Sequence, residues 1–210
     1  MASTLSRYLA NAIDRLKYGD PVIVVSGLPR SGTSMMMNML AAGGIEPLTD
    51  DKRLPDTDNT QGYFEHERVK GLEAERDKSW LRVARGRAVK VVWHLLQSLP
   101  PENRYRVVLA LRDLREVVAS QNIMLERLKQ PNPIGDDQAI RHCERHLENV
   151  RRLMDVRSNF EILEVPYAEV VQSPVVWSQR MAAFVGRKLD VQRMAAVVNG
   201  SLYRNRSPSS

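Results

Sequence analysis

The feature that most constrains this chain is a glycine-bounded turn between an apolar run and a helix-like run. The turn occupies residues 27–34, with the sequence Gly-Leu-Pro-Arg-Ser-Gly-Thr-Ser, and it lies between the apolar residues 22–25 and the methionine-rich residues 35–40. A strand, a tight turn and a helix in this order point successive backbone N–H groups and a helix N-terminus into one small concavity. Such a concavity suits a phosphate group, so the sequence predicts an anion site at this turn.

The turn departs at one position from the phosphate loop of ATP- and GTP-binding proteins. It nearly matches the Walker A pattern G-x-x-x-x-G-K-[ST], but Thr33 stands at the lysine position and Arg30 lies inside the loop instead. The phosphate geometry is kept, while the lysine that would neutralise a β- or γ-phosphate is missing. We therefore expect a phosphate ligand other than ATP or GTP. The alternative is a tight strand–helix turn that binds nothing.

Length and charge favour one globular domain with an anionic ligand. The 210 residues suit a single domain, 1–210, with a substantial core. The net charge of +6 favours nucleotides, nucleic acid or acidic substrates as ligands. The arginines are scattered through predicted helices and no nucleic-acid motif accompanies them, so we do not expect a nucleic-acid partner.

The cysteine content and the first residues favour a cytoplasmic location. Cys143 is the only cysteine, which excludes an intramolecular disulfide. Residues 1–19 contain no apolar signal-peptide core, and no apolar run is long enough to span a bilayer. We therefore expect neither secretion nor membrane insertion.

Strands and helices alternate along the chain. The predicted strands are residues 22–26, 88–92, 105–111 and 160–165. The predicted helices are residues 3–17, 33–42, 65–85, 114–129, 175–184 and 190–198. A further, long helix is predicted to be capped by Asp136 or Asp137 and to end near residue 157. The last residues, about 205–210, are predicted to form a flexible tail. This alternation predicts an α/β fold, a three-layer sandwich of a parallel sheet with helices on both faces. Ligands of such folds bind at the carboxyl ends of the strands, where the turn at residues 27–34 and the pair Arg112–Asp113 both fall.

The turn resembles the phosphosulfate-binding loop of the sulfotransferases. That family has a first strand followed by a loop of the form P-[KR]-S-G-T-[ST]. The matching residues are Pro29, Arg30, Ser31, Gly32, Thr33 and Ser34. The arginine form is similar to the Golgi-type and bacterial branches. The resemblance implies a P-loop-like fold and 3′-phosphoadenosine 5′-phosphosulfate (PAPS) as the co-substrate, with its 5′-phosphosulfate held by this loop.

A second segment carries the same resemblance. The family has an arginine at a strand end and a serine eight residues later, which together hold the 3′-phosphate of PAPS. Arg112 and Ser120 have this spacing. A strand-end guanidinium can donate two parallel charge-assisted hydrogen bonds to a phosphate, and a hydroxyl on the following helix can add a third. The alternative is an ordinary strand end before an amphipathic helix, with Arg115 and Glu116 solvated.

Lys90 and His94 are candidates for the chemical step. Residues 88–92 are similar to the family segment in which a strand ends in a lysine, here Lys90. In cytosolic members a catalytic histidine lies two residues after that lysine. Val92 stands at that place here, and His94 follows two residues later. Lys90 is equally well explained as a solvated strand end, and His94 as a structural histidine.

Glu65 is the leading candidate for the catalytic base. Residues 59–65, Asn-Thr-Gln-Gly-Tyr-Phe-Glu, are similar to the segment N-P-x-G-Y-[FW]-E of bacterial sulfotransferase-like proteins. Other branches of the family use a glutamate of this region as the base. A glutamate favoured by a helix N-terminus is the alternative. The neighbours His66 and Glu67 remain open as bases.

The C-terminal region supplies further candidates for nucleotide binding. Basic residues near the C-terminus often close over the nucleotide in this family, which gives a role to Tyr203 and Arg204; a disordered basic tail is the alternative. An aromatic side chain is also expected to stack on the adenine. The candidates are Tyr63, Phe64, Trp80, Trp93 and Tyr203.

The resemblance implies transfer of a sulfuryl group from PAPS to a hydroxyl or amine of a small-molecule or glycan acceptor. Glu65, or else His94, would remove the acceptor proton, while Arg30 and Lys90 would stabilise negative charge as the S–O bond breaks. No metal is expected. His142 and His146 lie four residues apart on a predicted helix, but their charged neighbours favour a solvated face over a metal site. The sequence does not identify the acceptor. It also leaves the oligomeric state open, and a homodimer is one of the alternatives.

Two other functions stay open at this point. One is a nucleotide kinase with a degenerate P-loop, in which Asp113 would act as the Walker B aspartate. The other is a non-catalytic nucleotide-binding or interaction protein. Magnesium-dependent ATP binding would support the first, and binding of 3′,5′-bisphosphoadenosine without turnover would support the second.

Overall fold

A computed structural model describes residues 16–50, 64–130 and 134–200. The strands are β1 (Val22–Gly27), β2 (Ala88–Lys90), β3 (Tyr105–Leu111) and β4 (Phe160–Pro166). The helices are α1 (Thr33–Ala42), α2 (Glu67–Lys70), α3 (Leu114–Arg127), α4 (Asp136–Val156), α5 (Tyr167–Gln172), α6 (Pro174–Val185) and α7 (Val191–Ala196). Two short 3-10 helices, Ser79–Ala84 and Trp93–Ser98, lie on either side of β2.

The four strands form one parallel sheet in the order β2-β1-β3-β4. All six residues of β1 are buried, as expected for a central strand with both faces covered. Its neighbours are in register with it, with Val25 opposite both Lys90 and Val108. The carboxyl ends of β1, β2 and β3 therefore meet at one edge of the sheet.

Helices cover both faces of the sheet, so the predicted α/β architecture is confirmed. The side chains of Ile23 and Val25 pack into a core cluster with α1, α5, α6 and α7. Val22 and Val24 point the other way, into a cluster with α2, the two 3-10 helices and α4. The alternation along β1 is the period-2 pattern of a strand between two apolar layers.

The predicted helix over residues 65–85 is wrong. The structure has only α2, a turn and the 3-10 helix Ser79–Ala84 in this region. Gly71 ends α2, and the Asp77 carboxylate accepts a hydrogen bond from the backbone N–H of Ser79, which closes a local turn. Leu81 and Ala84 are buried in the core, so their packing prevails over the helix propensity of the charged residues around them.

Two smaller expectations also need correction. Gly135 is the N-cap residue of α4, and Asp136 is its first residue. The Asp136 carboxylate instead accepts a hydrogen bond from the Asn122 side chain at 2.9 Å, so it is engaged with α3. The sequence pattern also did not predict α5, a short helix that begins immediately after β4.

Several sequence predictions lie outside the described residues. These are the N-terminal helix up to residue 15, residues 51–63 with Tyr63, the C-terminal candidates Tyr203 and Arg204, and the tail. Residues 16–18, at the end of the predicted N-terminal helix, are helical. Among the helices that the structure does describe, none is both long and apolar enough to cross a membrane.

Candidate functional site

The loop after β1 forms a tight cradle at the N-terminus of α1. Ser31 N–H donates to the Leu28 carbonyl at 3.1 Å, and Met36 N–H donates to the Gly32 carbonyl at 3.2 Å, where the helix begins. In the described part of the chain no side chain caps α1, and its first turn contains no acidic residue. The first N–H groups of a helix have no partner within the helix, and they carry partial positive charge. The cradle is therefore suited to an anion.

Two glycines make this close geometry feasible. A Cβ atom at Gly27 would lie 2.5 Å from Ser31 Oγ and 2.7 Å from the Ala110 carbonyl, so any other residue would force the loop away from β3. Gly32 has φ +100°, in the region that favours glycine, and a Cβ atom there would overlap the ring of Tyr167. The Ser31 hydroxyl is buried inside the loop and has no hydrogen-bond partner among the described residues.

We expect Gly32→Ala to destabilise the protein by about 1–3 kcal/mol, the scale of a strained backbone conformation, and to weaken binding of anions at the loop. Gly44→Ala is the matched control, because Gly44 has φ +102° and a Cβ atom added there would have no other atom within 4 Å. Chemical denaturation of both variants separates the backbone strain, which they share, from the contact with Tyr167. Equal losses in the two variants would contradict the close packing of Tyr167 on the loop.

Arg30, Arg112 and Ser120 form one network beside the loop. Arg30 Nε donates to Ser120 Oγ at 3.0 Å, and Arg112 Nη1 donates to the Arg30 carbonyl at 3.2 Å. Arg30 itself has φ +69°, a left-handed conformation that is uncommon for a residue with a side chain. Residues from the ends of β1 and β3 and from α3 thus meet at one place, as their positions at the strand ends predict.

The guanidinium of Arg112 is held on two further sides. Its Nε donates to Glu116 Oε2 at 2.8 Å, and the two side chains are only 9% and 4% exposed. Its Cζ lies 5.1 Å from the ring centre of Tyr167, which is itself buried. Burial raises the pKa of the Tyr167 hydroxyl, so the ring is neutral at physiological pH. The alternative in which Glu116 is solvated does not hold, because its carboxylate pairs with Arg112 inside the protein.

Asp113 has a structural role at the start of α3. Its Oδ1 accepts hydrogen bonds from the backbone N–H groups of Arg115 at 2.9 Å and Glu116 at 3.2 Å. This is the geometry of an N-cap residue, which satisfies N–H groups that lack partners within the helix. Capping accounts for an aspartate after β3 without a Walker B function.

Glu65 lies at the edge of the sheet, near the carboxyl end of β2. Pro47 pairs with Ala88 in parallel, so the following residues run along β2 toward Lys90. There the Thr49 hydroxyl donates to the Glu65 carbonyl at 3.1 Å. The Glu65 carboxylate is about one-fifth exposed and lies 2.9 Å from the Lys70 ammonium. Lys70 also pairs with Glu67 at 2.8 Å. The hydrogen bond to Glu67 raises the pKa of Lys70 most, and the hydrogen bond to Glu65 raises it further.

The other candidates for the base occupy different surroundings. His66 is the N-cap residue of α2, and its ring stacks on Trp80 with 5.2 Å between the ring centres. His94 is exposed and contacts the edge of Trp93, on the face covered by α4. Lys90 ends β2 opposite Val25, two residues before the loop begins. Of these side chains, Lys90 is the one that the sheet register carries toward the loop.

One of the two histidines of α4, His146, packs against an aromatic side chain. The ring of His146 lies 3.7 Å from the ring of Trp93, centre to centre, and 6.5 Å from that of His142. Burial, followed by the charge of His142, lowers the pKa of His146. Within residues 16–50, 64–130 and 134–200 there is no group of three or more His, Cys, Asp or Glu side chains that could hold a metal ion.

Sequence reasoning missed Tyr167 and the burial of Glu116. A signal for Tyr167 was present, because it lies two residues after the predicted strand 160–165, at the edge where ligands of such sheets bind. No local signal marks Glu116, since a glutamate in the first turn of a charged helix is ordinarily exposed.

The fold is a P-loop-like α/β fold, and basic side chains converge at the ends of its strands. The sequence matches the family described as "Sulfotransferase domain" over residues 20–208, and the chain belongs to this family. Among curated proteins, no sequence matches this one.

Two solved structures have a similar fold. The sulfotransferase domain of the olefin synthase from Synechococcus PCC 7002 has 16% sequence identity and a TM-score of 0.52, over 88% of this chain and 79% of that one. Retinol dehydratase, solved with androsterone and the inactive cofactor PAP, has 20% identity and a TM-score of 0.51, over 90% of this chain and 68% of that one. At these identities the likeness concerns the fold.

Proposed function

We propose that this protein is a PAPS-dependent sulfotransferase that transfers a sulfuryl group to a hydroxyl or amine. One observation carries the proposal: Arg30, Arg112 and Ser120 converge beside a glycine loop that has the shape of a phosphate cradle and lacks the Walker lysine. Two anionic groups of one nucleotide require two adjacent basic positions, and this network joins them. The PAP bound in the structure of retinol dehydratase, a relative of the same fold, agrees with this ligand class.

The loop and Arg30 would hold the 5′-phosphosulfate. The N–H groups at the start of α1 point into the cradle, and the dipole of α1 favours negative charge there. Thr33 and Ser34 add hydroxyl groups in the first turn. The Arg30 guanidinium, which Ser120 holds at 3.0 Å, would stabilise the charge that develops on the leaving phosphate.

Arg112 and Ser120 would hold the 3′-phosphate. A guanidinium recognises phosphate through parallel charge-assisted hydrogen bonds, which are roughly twice as strong as neutral ones. The Ser120 hydroxyl lies within reach of the same network because it already bonds Arg30. This pair would distinguish PAPS from adenylates that lack a 3′-phosphate.

Glu65 would act as the general base, and Lys90 would stabilise the transferring group. The acceptor oxygen or nitrogen attacks sulfur, its proton passes to the Glu65 carboxylate, and the S–O bond to the 5′-phosphate breaks with the electron pair leaving on 3′,5′-bisphosphoadenosine. The salt bridge with Lys70 at 2.9 Å orients the carboxylate at the sheet edge. The acceptor is a small molecule or a glycan in this proposal.

The experiment that tests the proposal measures transfer directly. The protein is incubated with PAPS and pools of phenols, alcohols, amines and sugars, and mass spectrometry follows both the release of 3′,5′-bisphosphoadenosine and the gain of one SO₃ unit by an acceptor. Formation of 3′,5′-bisphosphoadenosine and of a sulfated acceptor in equal amounts supports the proposal. Phosphorylation of an acceptor with ATP and Mg²⁺ would favour a kinase, and bisphosphate binding without transfer to any pool would favour a non-catalytic binding protein.

A further inference from the structure

A buried carboxylate lies directly beside the proposed 3′-phosphate site. Glu116 is 4% exposed at its side chain and accepts from Arg112 Nε at 2.8 Å. A negative charge near an anion site opposes anion binding, and its burial carries a desolvation cost. The binding roles proposed above do not require Glu116, so its placement calls for a separate function.

The contacts around Arg112 fix the plane of its guanidinium. Glu116 on α3 accepts from Nε, the Arg30 carbonyl of the loop accepts from Nη1, and the ring of Tyr167 at the start of α5 lies 5.1 Å from Cζ. The guanidinium is planar, with its five N–H bonds in a fixed fork. Contacts from three elements therefore set the direction of every N–H bond in the group.

We propose that Glu116 is a positioning residue that aims the Arg112 guanidinium at the 3′-phosphate and so sets the preference for 3′-phosphorylated nucleotides. This inference rests on the proposed function and deepens it. A side chain held in its binding geometry loses less conformational freedom when the ligand arrives, which is the gain from preorganisation. Glu116 contributes by orienting the Arg112 guanidinium and not by its charge, because a negative charge repels the phosphate.

This role has a signature that a purely structural role lacks. Loss of the carboxylate raises the net charge of the site by one, which favours every anion, while it also frees the Arg112 guanidinium to rotate. We therefore expect Glu116→Ala to weaken 3′,5′-bisphosphoadenosine binding while AMP binding stays equal or becomes tighter. General destabilisation would weaken both nucleotides together.

The test compares the dissociation constants of 3′,5′-bisphosphoadenosine and AMP by calorimetry for the wild type, Glu116→Gln and Glu116→Ala. We expect the preference for the bisphosphate to fall about tenfold in Glu116→Ala, the scale of one hydrogen bond to a charged group. Glu116→Gln should be intermediate, because an amide oxygen still accepts from Nε. The control is Val150→Ala, which removes a buried side chain of the core cluster beneath α4 and should leave the preference unchanged.

The outcomes separate this inference from the proposed function. A wild type without preference for the bisphosphate would overturn the proposed function. A wild type with that preference, together with a Glu116→Ala variant that keeps it in full, would overturn the positioning role alone. If Glu116→Ala does not fold, the Glu116→Gln variant decides, and a preference equal to that of the wild type would overturn the inference.

Discussion

Glu65→Gln should lower the turnover of sulfuryl transfer by about 10²–10⁴-fold, the usual contribution of a general base. The amide cannot take the acceptor proton, while its size and its position at the edge of β2 are preserved. Bisphosphate affinity should stay within about twofold, since the carboxylate takes no part in the proposed phosphate contacts and its ion pair with the half-exposed Lys70 contributes little to stability. Steady-state kinetics with any acceptor found in the screen, together with calorimetry, measures both quantities.

Glu67→Gln is the matched control for this variant. Glu67 is two residues away and bonds the same Lys70 ammonium at 2.8 Å, but its side chain is about half exposed. Each variant removes one ion-pair partner of Lys70. The difference in turnover between the two variants therefore excludes the effect of losing that ion pair. Full turnover in Glu65→Gln would contradict the assignment of the base. A large loss in Glu67→Gln or in a His94 variant would transfer that role to the residue concerned.

Arg112→Ala should weaken 3′,5′-bisphosphoadenosine binding by at least about 30-fold, because loss of one partner of a buried charge pair commonly costs about 2–5 kcal/mol. The variant loses the guanidinium but keeps the buried Glu116 carboxylate, whose charge then repels the phosphate. Stability should fall by about 3–5 kcal/mol, because the compensating positive charge is gone. Calorimetric titration and chemical denaturation of the variant check the two effects.

The double variant Arg112→Ala/Glu116→Ala separates the two contributions. Removal of both charges takes away the buried carboxylate as well, so stability should recover part of the loss, with a coupling of about 0.5–3 kcal/mol between the sites. Bisphosphate affinity should remain low, because no guanidinium is present to bind the 3′-phosphate. Full recovery of affinity in the double variant would show that the Arg112 side chain does not contact the nucleotide.

The sheet and the tight loop after β1 were predictable because their signals are local. The apolar runs at 22–26 and 105–111 match β1 and β3 almost residue for residue, and the glycines at 27 and 32 stand where the backbone requires them. Parallel pairing then brings Arg30 and Arg112 to the same edge without further information.

Other parts depend on contacts between distant residues, which a single sequence does not display. The burial of Glu116 follows from the position of Tyr167 and the loop around Arg112, not from the charged residues beside it. Residues 65–85 have helix-forming composition, but Leu72 and Leu81 dock on the sheet and break the helix into short turns. In residues 65–85, tertiary packing overrides helix propensity.

The measurement that tests the central claim most directly is a calorimetric titration of the wild type with 3′,5′-bisphosphoadenosine, AMP and ATP in the absence of Mg²⁺. A phosphate loop without the Walker lysine, joined to a strand-end arginine, predicts tight binding of the bisphosphate and weak binding of AMP and ATP. The expected gap between the bisphosphate and AMP is at least about 1.5 kcal/mol, the scale of one charge-assisted hydrogen bond. Equal affinity for the bisphosphate and AMP would contradict a PAPS site in this protein.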